Sequence, residues 1–522
     1  MVVRWLIKPN MYQDSVKLMK LTAEIQRLEG IKQASVVMAT DMNKEVLKEA
    51  GLLVPEAAEA NANDLVIVVA ADKEKQAARA LETAEKLLGS SEVEEGNSKK
   101  QKLPKTIQRG AEALPGANLA LISVPGTYAA AEAFKALNMG LNVHLFSDNV
   151  SLEDEVRLKE FGCQKGLLVM GPDCGTAIID GVPLAFANVV ARGKIGIVGA
   201  SGTGIQEATV LIERLGAGIS HAIGTGGRDL SDAVGGRMML MGIDLLEEDP
   251  STEVILLVSK PAGSQTTPKI LDRVKRCRKP VVMCILKEDL SRALSSAAVY
   301  AATIEDAAYK AVALANGEDP LALPENFWGD YSEQISEAVK KLRPQQKYLR
   351  GLFTGGTLAD EAMLVLEDII GDIYSNIPLK PELRLFSSQQ STAHTVIDLG
   401  DDEFTRGRPH PMIDPLPRNE RLLQEYKDPE VAVILCDVVT GYGSHPDPAG
   451  ELARAVVEAR QAYPDNNPAV VAFVCGTEGD PQPLSAQIET LEKAGIMVLP
   501  SNAEAARAAG RIIKQQESKG VQ

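Results

Sequence analysis

The sequence predicts an α/β protein: a small amino-terminal α/β domain, a Rossmann-like domain, and two flavodoxin-like domains. Three observations predict it. Short β-branched runs, as at 64–70 and 469–474, alternate with segments whose apolar residues recur at helical spacing. Glycine-rich turns stand where such a run ends and a helix begins, as in GASGTG at 199–204 and TGGT at 354–357. Aromatic residues make up only 4% of the chain, which fits small-residue packing of helix on sheet better than an all-β architecture.

The elements follow in order. Residues 2–8, 34–38 and 64–70 read as strands, and 14–28, 44–50 and 73–88 as helices. They form a domain over 1–90, for which a ferredoxin-like fold is one candidate. Residues 89–105 are polar and charged without apolar periodicity and read as a linker. Strands at 119–124, 142–146 and 167–170 alternate with helices at 128–137 and 152–161, giving a Rossmann-like parallel sheet over 104–192. The loop GPDCGT, 171–176, follows its last strand. The first flavodoxin-like domain, 193–330, has strands at 194–198, 254–258 and 281–286 and helices at 205–215, 269–276 and 303–315. A connector over 316–347 holds one helix, 334–341. The second such domain, 346–516, repeats strand, glycine turn and helix at 349–366. Strands at 431–436, 469–474 and 497–499 and helices at 450–460, 485–494 and 502–514 complete it, and the last residues read as a frayed tail.

A chain of 522 residues is too long for a single core. Its net charge of −16 makes the average surface repel nucleic acid and anionic membrane. Six cysteines without a CxxC pair point to reduced core thiols, and no run is apolar enough to span a bilayer, so the chain reads as cytoplasmic. Cys174 reads as part of a packed turn, because no base is identifiable beside it.

Residues 199–206 carry the first chemical signal. Thr203 followed by Gln206 has the spacing of a capping box, and the unpaired amides of such a helix start cluster at the positive end of the dipole. That end binds phosphate or carboxylate, although a ligand-free turn has the same residues. The repeat at 354–357 supplies a second such start, and the two could face one anion.

With these motifs in hand, GPDCGT, GASGTGIQEA and SHAIGTGGRDL resemble the α subunit of succinyl-CoA synthetase and related ADP-forming acyl-CoA synthetases, in the same order. FTGGTLADE, VIDLGDDEF, VILCDVVTGYG and VCGTEGD are similar to the carboxy-terminal domain of that enzyme's β subunit. The fused chain, with LRGLFTGGTLADEA and GRPHPMIDP, resembles the FdrA family over essentially its whole length. The resemblance implies a CoA-binding-type domain at 104–192 and succinyl-CoA-synthetase-type domains at 193–330 and 346–516. Three things depart from the pattern. The segment 284–303, where the synthetases carry a phosphohistidine, has no histidine; no segment is left over for an ATP-grasp domain; and KTIQRGAEALPG replaces the glycine-rich loop that opens the CoA-binding domain.

What remains implies a phosphate-dependent carbamoyl transferase subunit like that of oxamate carbamoyltransferase, which interconverts oxalurate plus phosphate with oxamate plus carbamoyl phosphate in purine-derived nitrogen catabolism. No cofactor is required on this reading. Coenzyme A, used with a separate ATP-grasp subunit, belongs to the alternative of an ADP-forming acyl-CoA synthetase. The partners implied are small-molecule substrates, other subunits of a hetero-oligomeric complex and further copies of the chain, with neither nucleic acid nor membrane.

The resemblance also assigns residues. Ser201, Gly202, Thr203, Gly204, Gly355, Gly356 and Thr357 are the expected phosphate-binding residues. From the residues themselves, Gly171, Pro172 and Asp173, in a loop after a strand where α/β folds place ligands, Gly226 and Gly227, which let the backbone approach a ligand, and Arg228 are expected to touch substrate. Glu207 matches the acidic residue that orients the synthetases' histidine; here it either orients a substrate amide or complements the helix dipole. Arg406, Arg408 and His410 lie in a charged segment, 394–410, that reads as a loop; arginine forks suit carboxylate or phosphate, and a histidine can polarise a carbonyl. The same segment reads alternatively as a solvated loop, and Asp401, Asp402 and His394 lack metal-ligand spacing, so no metal is expected. His221 reads as a satisfied histidine, and Asp360 and Glu361 as solvent-facing.

Overall fold

The computed structural model describes residues 2–11, 13, 15–26, 28–93, 104–288, 298–322, 327–405 and 409–519. The chain divides into two compact units, Met1–Leu103 with Thr405–Pro409, and Pro104–Phe404 with His410–Gln522.

In the first unit three antiparallel strands lie in the order Val2–Lys8, Leu65–Ala71, Ile31–Met38. The central strand LVIVVAA is buried at every residue because helices cover both faces. Leu18, Leu21 and Ile25 pack on one side, and Leu47, Leu52 and Ala57 on the other. Among the described residues the sheet has one strand fewer than the four-stranded ferredoxin-like arrangement.

The second unit holds three sheets. A short parallel one orders Leu119–Ile122, Asn142–Leu145 and Val169–Met170. In the next, Ala298–Tyr300, Val281–Ile285, Val254–Ser259, Arg192–Ala200 and Ile219–Gly224 run parallel, and the hairpin of Thr176–Ile179 and Val182–Ala185 is added antiparallel at the edge. The last sheet is parallel throughout: Tyr374–Ser375, Thr395–Asp398, Tyr348–Phe353, Val431–Val439, Ala469–Cys475 and Met497–Leu499. Numbered within each domain, the five principal strands of both larger sheets follow the doubly wound order 2-1-3-4-5, which opens a crevice beyond the carboxyl ends of strands 1 and 3. The central strands are continuous apolar runs because both faces are covered.

Several expectations change on contact with the structure. Helix Gly202–Arg214 starts earlier than the Thr203–Gln206 spacing implies: Ser201 is the cap, its Oγ accepting the Gly204 N–H at 2.9 Å. Residues 394–410 are not one loop, since Thr395–Asp398 is a buried central strand and Asp402–Thr405 a short helix. The tail is helical to Lys519, with Ile512, Ile513 and Gln516 buried. Strand Ile219–Gly224 and helices Arg237–Glu248 and Leu416–Tyr426 add to the elements read from sequence. The last two carry charged residues within the apolar pattern, as Asp244, Glu247, Arg418 and Arg421 do, which blurs the periodicity.

Candidate functional site

The site forms where the carboxyl ends of strands from the two larger sheets meet. Strand Arg192–Ala200 delivers Ser201 to the start of helix Gly202–Arg214, and strand Tyr348–Phe353 delivers Thr354 and Gly355 to the start of helix Gly356–Ile370. Ser201 Oγ donates to Thr357 Oγ1 at 2.7 Å, so the two helix starts face one another. Packing is tight enough that a Cβ on Gly355 would meet Thr203 Cγ2 at 2.8 Å.

The available amides are fewer than the seven expected phosphate-binding residues imply. Asp437 accepts from Thr354 N at 2.8 Å, Thr354 Oγ1 at 2.9 Å and Gly355 N at 2.9 Å. Gly355 therefore has its donor engaged, as does Gly204 through the Ser201 hydroxyl. Gly202, Thr203, Gly356 and Thr357 remain, first-turn amides with no carbonyl one turn back. Thr176 Oγ1, a buried hydroxyl without a hydrogen-bond partner, lies 3.5 Å from where a Cβ on Gly202 would stand.

Charged groups surround these helix starts. Lys260 follows strand Val254–Ser259 directly; its ammonium sits 3.3 Å from Asp360 Oδ2, and its side chain is 37% exposed, so a ligand can reach it. Lys287 holds the other oxygen of Asp360 at 2.9 Å. Asp360 and Glu361 are thus both buried, correcting the solvent-facing expectation. Asp398 ends strand Thr395–Asp398, and a Cβ on Gly356 would collide with its Oδ2 and stand 3.0 Å from Lys260 Nζ. Burial, with Asp401 and Asp360 nearby, raises the Asp398 carboxyl to about 7, against the pull of Lys260 and the Gly400 N–H.

His410 belongs to this group. Its Nδ1 accepts the Met412 N–H at 3.2 Å, which leaves Nε2 to carry the proton, and Nε2 would lie 2.8 Å from a Cβ on Gly400. The ring packs on Phe186, centroids 5.8 Å apart, and Phe186 on Phe146 at 5.5 Å. Burial pulls His410 down to about 4, so it is a neutral hydrogen-bond donor at neutral pH. Arg406 and Arg408 lie outside the described residues. His394 stands at the opposite end of the strand, accepting the Leu349 N–H on its Nδ1.

The substrate loops also come together, a Cβ on Gly226 standing 2.9 Å from Gly171 Cα. Asp173 is exposed there and adopts a left-handed φ of 55°. Gly227 has open space at its Cα. Arg228 is committed to its own chain, to Glu155 Oε2 at 2.8 Å and the Val150 carbonyl at 2.8 Å. Glu207 stands in a different cluster: its Oε1 accepts Asn502 N at 3.2 Å, Asn502 Nδ2 donates to Glu361 at 2.7 Å, and neither carboxyl shares a hydrogen bond with the groups above. Its expected role toward substrate is corrected accordingly. Cys174 is buried and pushed up to about 12, mainly by desolvation, which makes its thiol inert. His221 Nδ1 accepts the Asp180 N–H.

Sequence reasoning missed Lys260, Thr176 and Asp437, and did not separate Asp398 from its charged neighbours. A signal existed: Lys260 and Asp398 are polar residues at the carboxyl end of apolar parallel strands, where doubly wound folds place ligands.

Residues 352–512 match the family described as CoA-ligase, residues 191–277 the CoA binding domain, and residues 1–104 AllF, heavy metal-associated domain. The last description implies a metal that the residues do not fit, for 1–104 contain neither cysteine nor histidine. The chain is 46% identical over 506 residues to the uncharacterized protein YahF of Escherichia coli, covering 96% of this chain and 97% of YahF. It is 30% identical over 217 residues to the malate–CoA ligase subunit alpha of Methylorubrum extorquens, covering 40% and 72%. To the ADP-forming succinate–CoA ligase subunit alpha of Aquifex aeolicus it is 33% identical over 156 residues, covering 29% and 50%.

Proposed function

Because the chain belongs to the FdrA-like family of proteins built on the succinyl-CoA synthetase α scaffold, we propose that it is the subunit of a phosphate-dependent carbamoyl transferase that holds phosphate. The reaction is oxalurate plus phosphate to oxamate plus carbamoyl phosphate, carried out with other subunits. The Ser201–Thr357 hydrogen bond carries this reading, since it brings two amide-bearing helix starts together. The segment 284–303 has no histidine to take up a phosphoryl group, which leaves phosphate itself as the partner of the acyl group.

The chemistry then follows from the groups present. Gly202, Thr203, Gly356 and Thr357 amides and the Lys260 ammonium hold phosphate and stabilise its charge as it attacks or leaves. His410 Nε2–H, neutral and fixed in that tautomer by Met412, polarises the carbamoyl carbonyl. A preorganised donor of this kind is worth about 10²–10³ in rate. The test is product formation: the chain with its partner subunits, given carbamoyl phosphate and oxamate, forms oxalurate and releases phosphate. Absence of turnover at saturating substrate would overturn the reading.

The matched CoA-ligase and CoA binding descriptions favour a second reading, an acyl-CoA ligase subunit working with a separate nucleotide-binding chain. Against it, in 104–192, where the resemblance places a CoA-binding domain although the match falls on 191–277, helix Gly126–Asn138 starts against the carbonyls of Asp148 and Asn149, which would collide with a Cβ on Gly126. Carbonyl oxygens are a poor bed for the diphosphate of coenzyme A. Calorimetric titration with coenzyme A separates the readings, tight binding favouring the second.

A further inference from the structure

The proposed phosphate site has donors and a cation, but acyl transfer to or from an amide nitrogen also moves a proton. Asp398 is placed to carry it. Its main chain is fixed by Asn376, whose Oδ1 accepts Asp398 N and whose Nδ2 donates to Asp398 O, both at 3.0 Å. Its Oδ1 accepts the Gly400 N–H at 2.9 Å. The second oxygen is left at the first residue of helix Gly356–Ile370, beside Lys260 Nζ, where only a glycine leaves room for it. Gly356 does not have a positive φ, so the glycine serves space and not backbone conformation.

Apart from Asp173, which also draws on Lys260 but stands exposed in the substrate loop, the other titratable groups are spoken for. Asp437 is consumed by the Thr354 and Gly355 donors. Asp360 is paired to two lysines, and Glu207 and Glu361 are sealed around Asn502. His410 has given its basic nitrogen to Met412. The groups facing Asp398 are Lys260 from the neighbouring domain, Asp360 from the helix below it, Asp401 from its own loop, and His410 across Gly400.

We propose that Asp398 is the catalytic acid and base of acyl transfer at this site, giving its proton to the leaving amide nitrogen in one direction and removing it in the other. This rests on the phosphate-transfer reading above. A phosphate oxygen attacks the terminal ureido carbon of the substrate and forms the C–O bond. The C–N bond then breaks, its electron pair staying on the amide nitrogen, which takes the proton from Asp398. The carboxylate left beside Lys260 recovers a proton from the attacking hydrogen phosphate, so a ureido acid and hydrogen phosphate become an amide and a carbamoyl phosphate dianion without another reactant. A carboxyl that titrates near neutrality can work in both directions.

Two measurements test this. Sulfate, which keeps one charge state, is titrated calorimetrically into the full chain. Wild-type affinity is expected to fall about tenfold from pH 6 to pH 8, as the carboxyl ionises beside the anion; Asp398→Asn, equal in shape and always neutral, is expected to bind equally across that range. A flat wild-type profile overturns the proposal whatever the reaction is. In the complex with partner subunits, Asp398→Asn is expected to lower kcat by about 10²–10⁴ with KM for phosphate within about threefold and the inflection near pH 7 gone. A wild-type complex that transfers carbamoyl groups while Asp398→Asn keeps its rate and pH profile sinks this inference alone. A wild-type complex without transfer sinks the carbamoyl reading, and the sulfate profile still decides whether Asp398 holds the proton at the anion site.

Discussion

Ser201 Oγ and Thr357 Oγ1 share a 2.7 Å hydrogen bond across 156 residues of chain, and it joins the starts of two helices that belong to different sheets. Each helix brings its positive end to the same place, where Lys260 adds a cation and Asp398 a carboxyl. Three measurements bear on what this arrangement does, and a fourth on a separate buried carboxyl pair.

Gly356→Ala places a methyl group against Asp398 Oδ2 and 3.0 Å from Lys260 Nζ. Alanine inside a helix is ordinarily favoured over glycine by about 1 kcal/mol, and less at a first position such as Gly356. Here the expected result is a loss of at least about tenfold in phosphate affinity without a matching gain in urea midpoint. Unchanged affinity in a stabilised variant would show that the close approach of Asp398 and Lys260 to Gly356 does not shape the anion site.

Lys260→Met removes the ammonium and leaves Asp360 paired to Lys287 at 2.9 Å, so the fold is retained. Phosphate affinity is expected to fall about ten- to thirtyfold, measured by calorimetry at fixed salt. A thermal midpoint like that of the parent protein confirms that the loss is local.

His410→Ala takes away the Nε2–H donor and is expected to lower kcat by about 10²–10³. Because burial holds His410 near 4, its protonation adds no inflection to the kcat profile above about pH 5. An inflection near the ordinary histidine value, lost in the alanine variant, would contradict the neutral-donor role.

Glu207 and Glu361 give the fold a pH dependence of their own. Burial first, and their mutual repulsion in the case of Glu207, raise them to about 8 and about 7. A carboxyl raised in the folded state keeps its proton where the unfolded chain has lost it, so stability declines as pH rises from about 5 to about 8 and levels beyond. The two carboxyls titrate as a coupled pair. Glu207→Gln should flatten that decline in the thermal midpoint; a decline of unchanged steepness would mean that Glu207 is already ionised in the folded protein.

Much of the site's scaffold was legible because it is local. GASGTG and TGGT announce turns by composition, and the apolar runs before them announce buried strands, so Ser201, Gly202, Gly356 and Thr357 could be named from sequence. The cap was misassigned by two residues because Ser201 and Thr203 carry equivalent hydroxyls, and only the backbone geometry chooses between them: Ser201 is extended at φ −160° and ψ 115°. Charged stretches misled in a consistent way. Asp360 and Glu361 look solvated in sequence, yet Lys260, Lys287, Ile304 N and Asn502 compensate their burial from elsewhere.

The sequence by itself determined the order of strands and helices, the positions of the two amide-bearing turns and the family, because hydrophobic period, glycine content and motif order are written in neighbouring residues. Tertiary structure alone decided which amides stay available, by bringing Asp437 to Thr354 and Gly355 across more than 80 residues. It also decided that Lys260, Asp398 and His410 stand together. Those choices depend on where the carboxyl ends of two separate sheets come to rest against each other, and hydrogen bonds and ion pairs between such distant segments leave no period in the chain that encodes them.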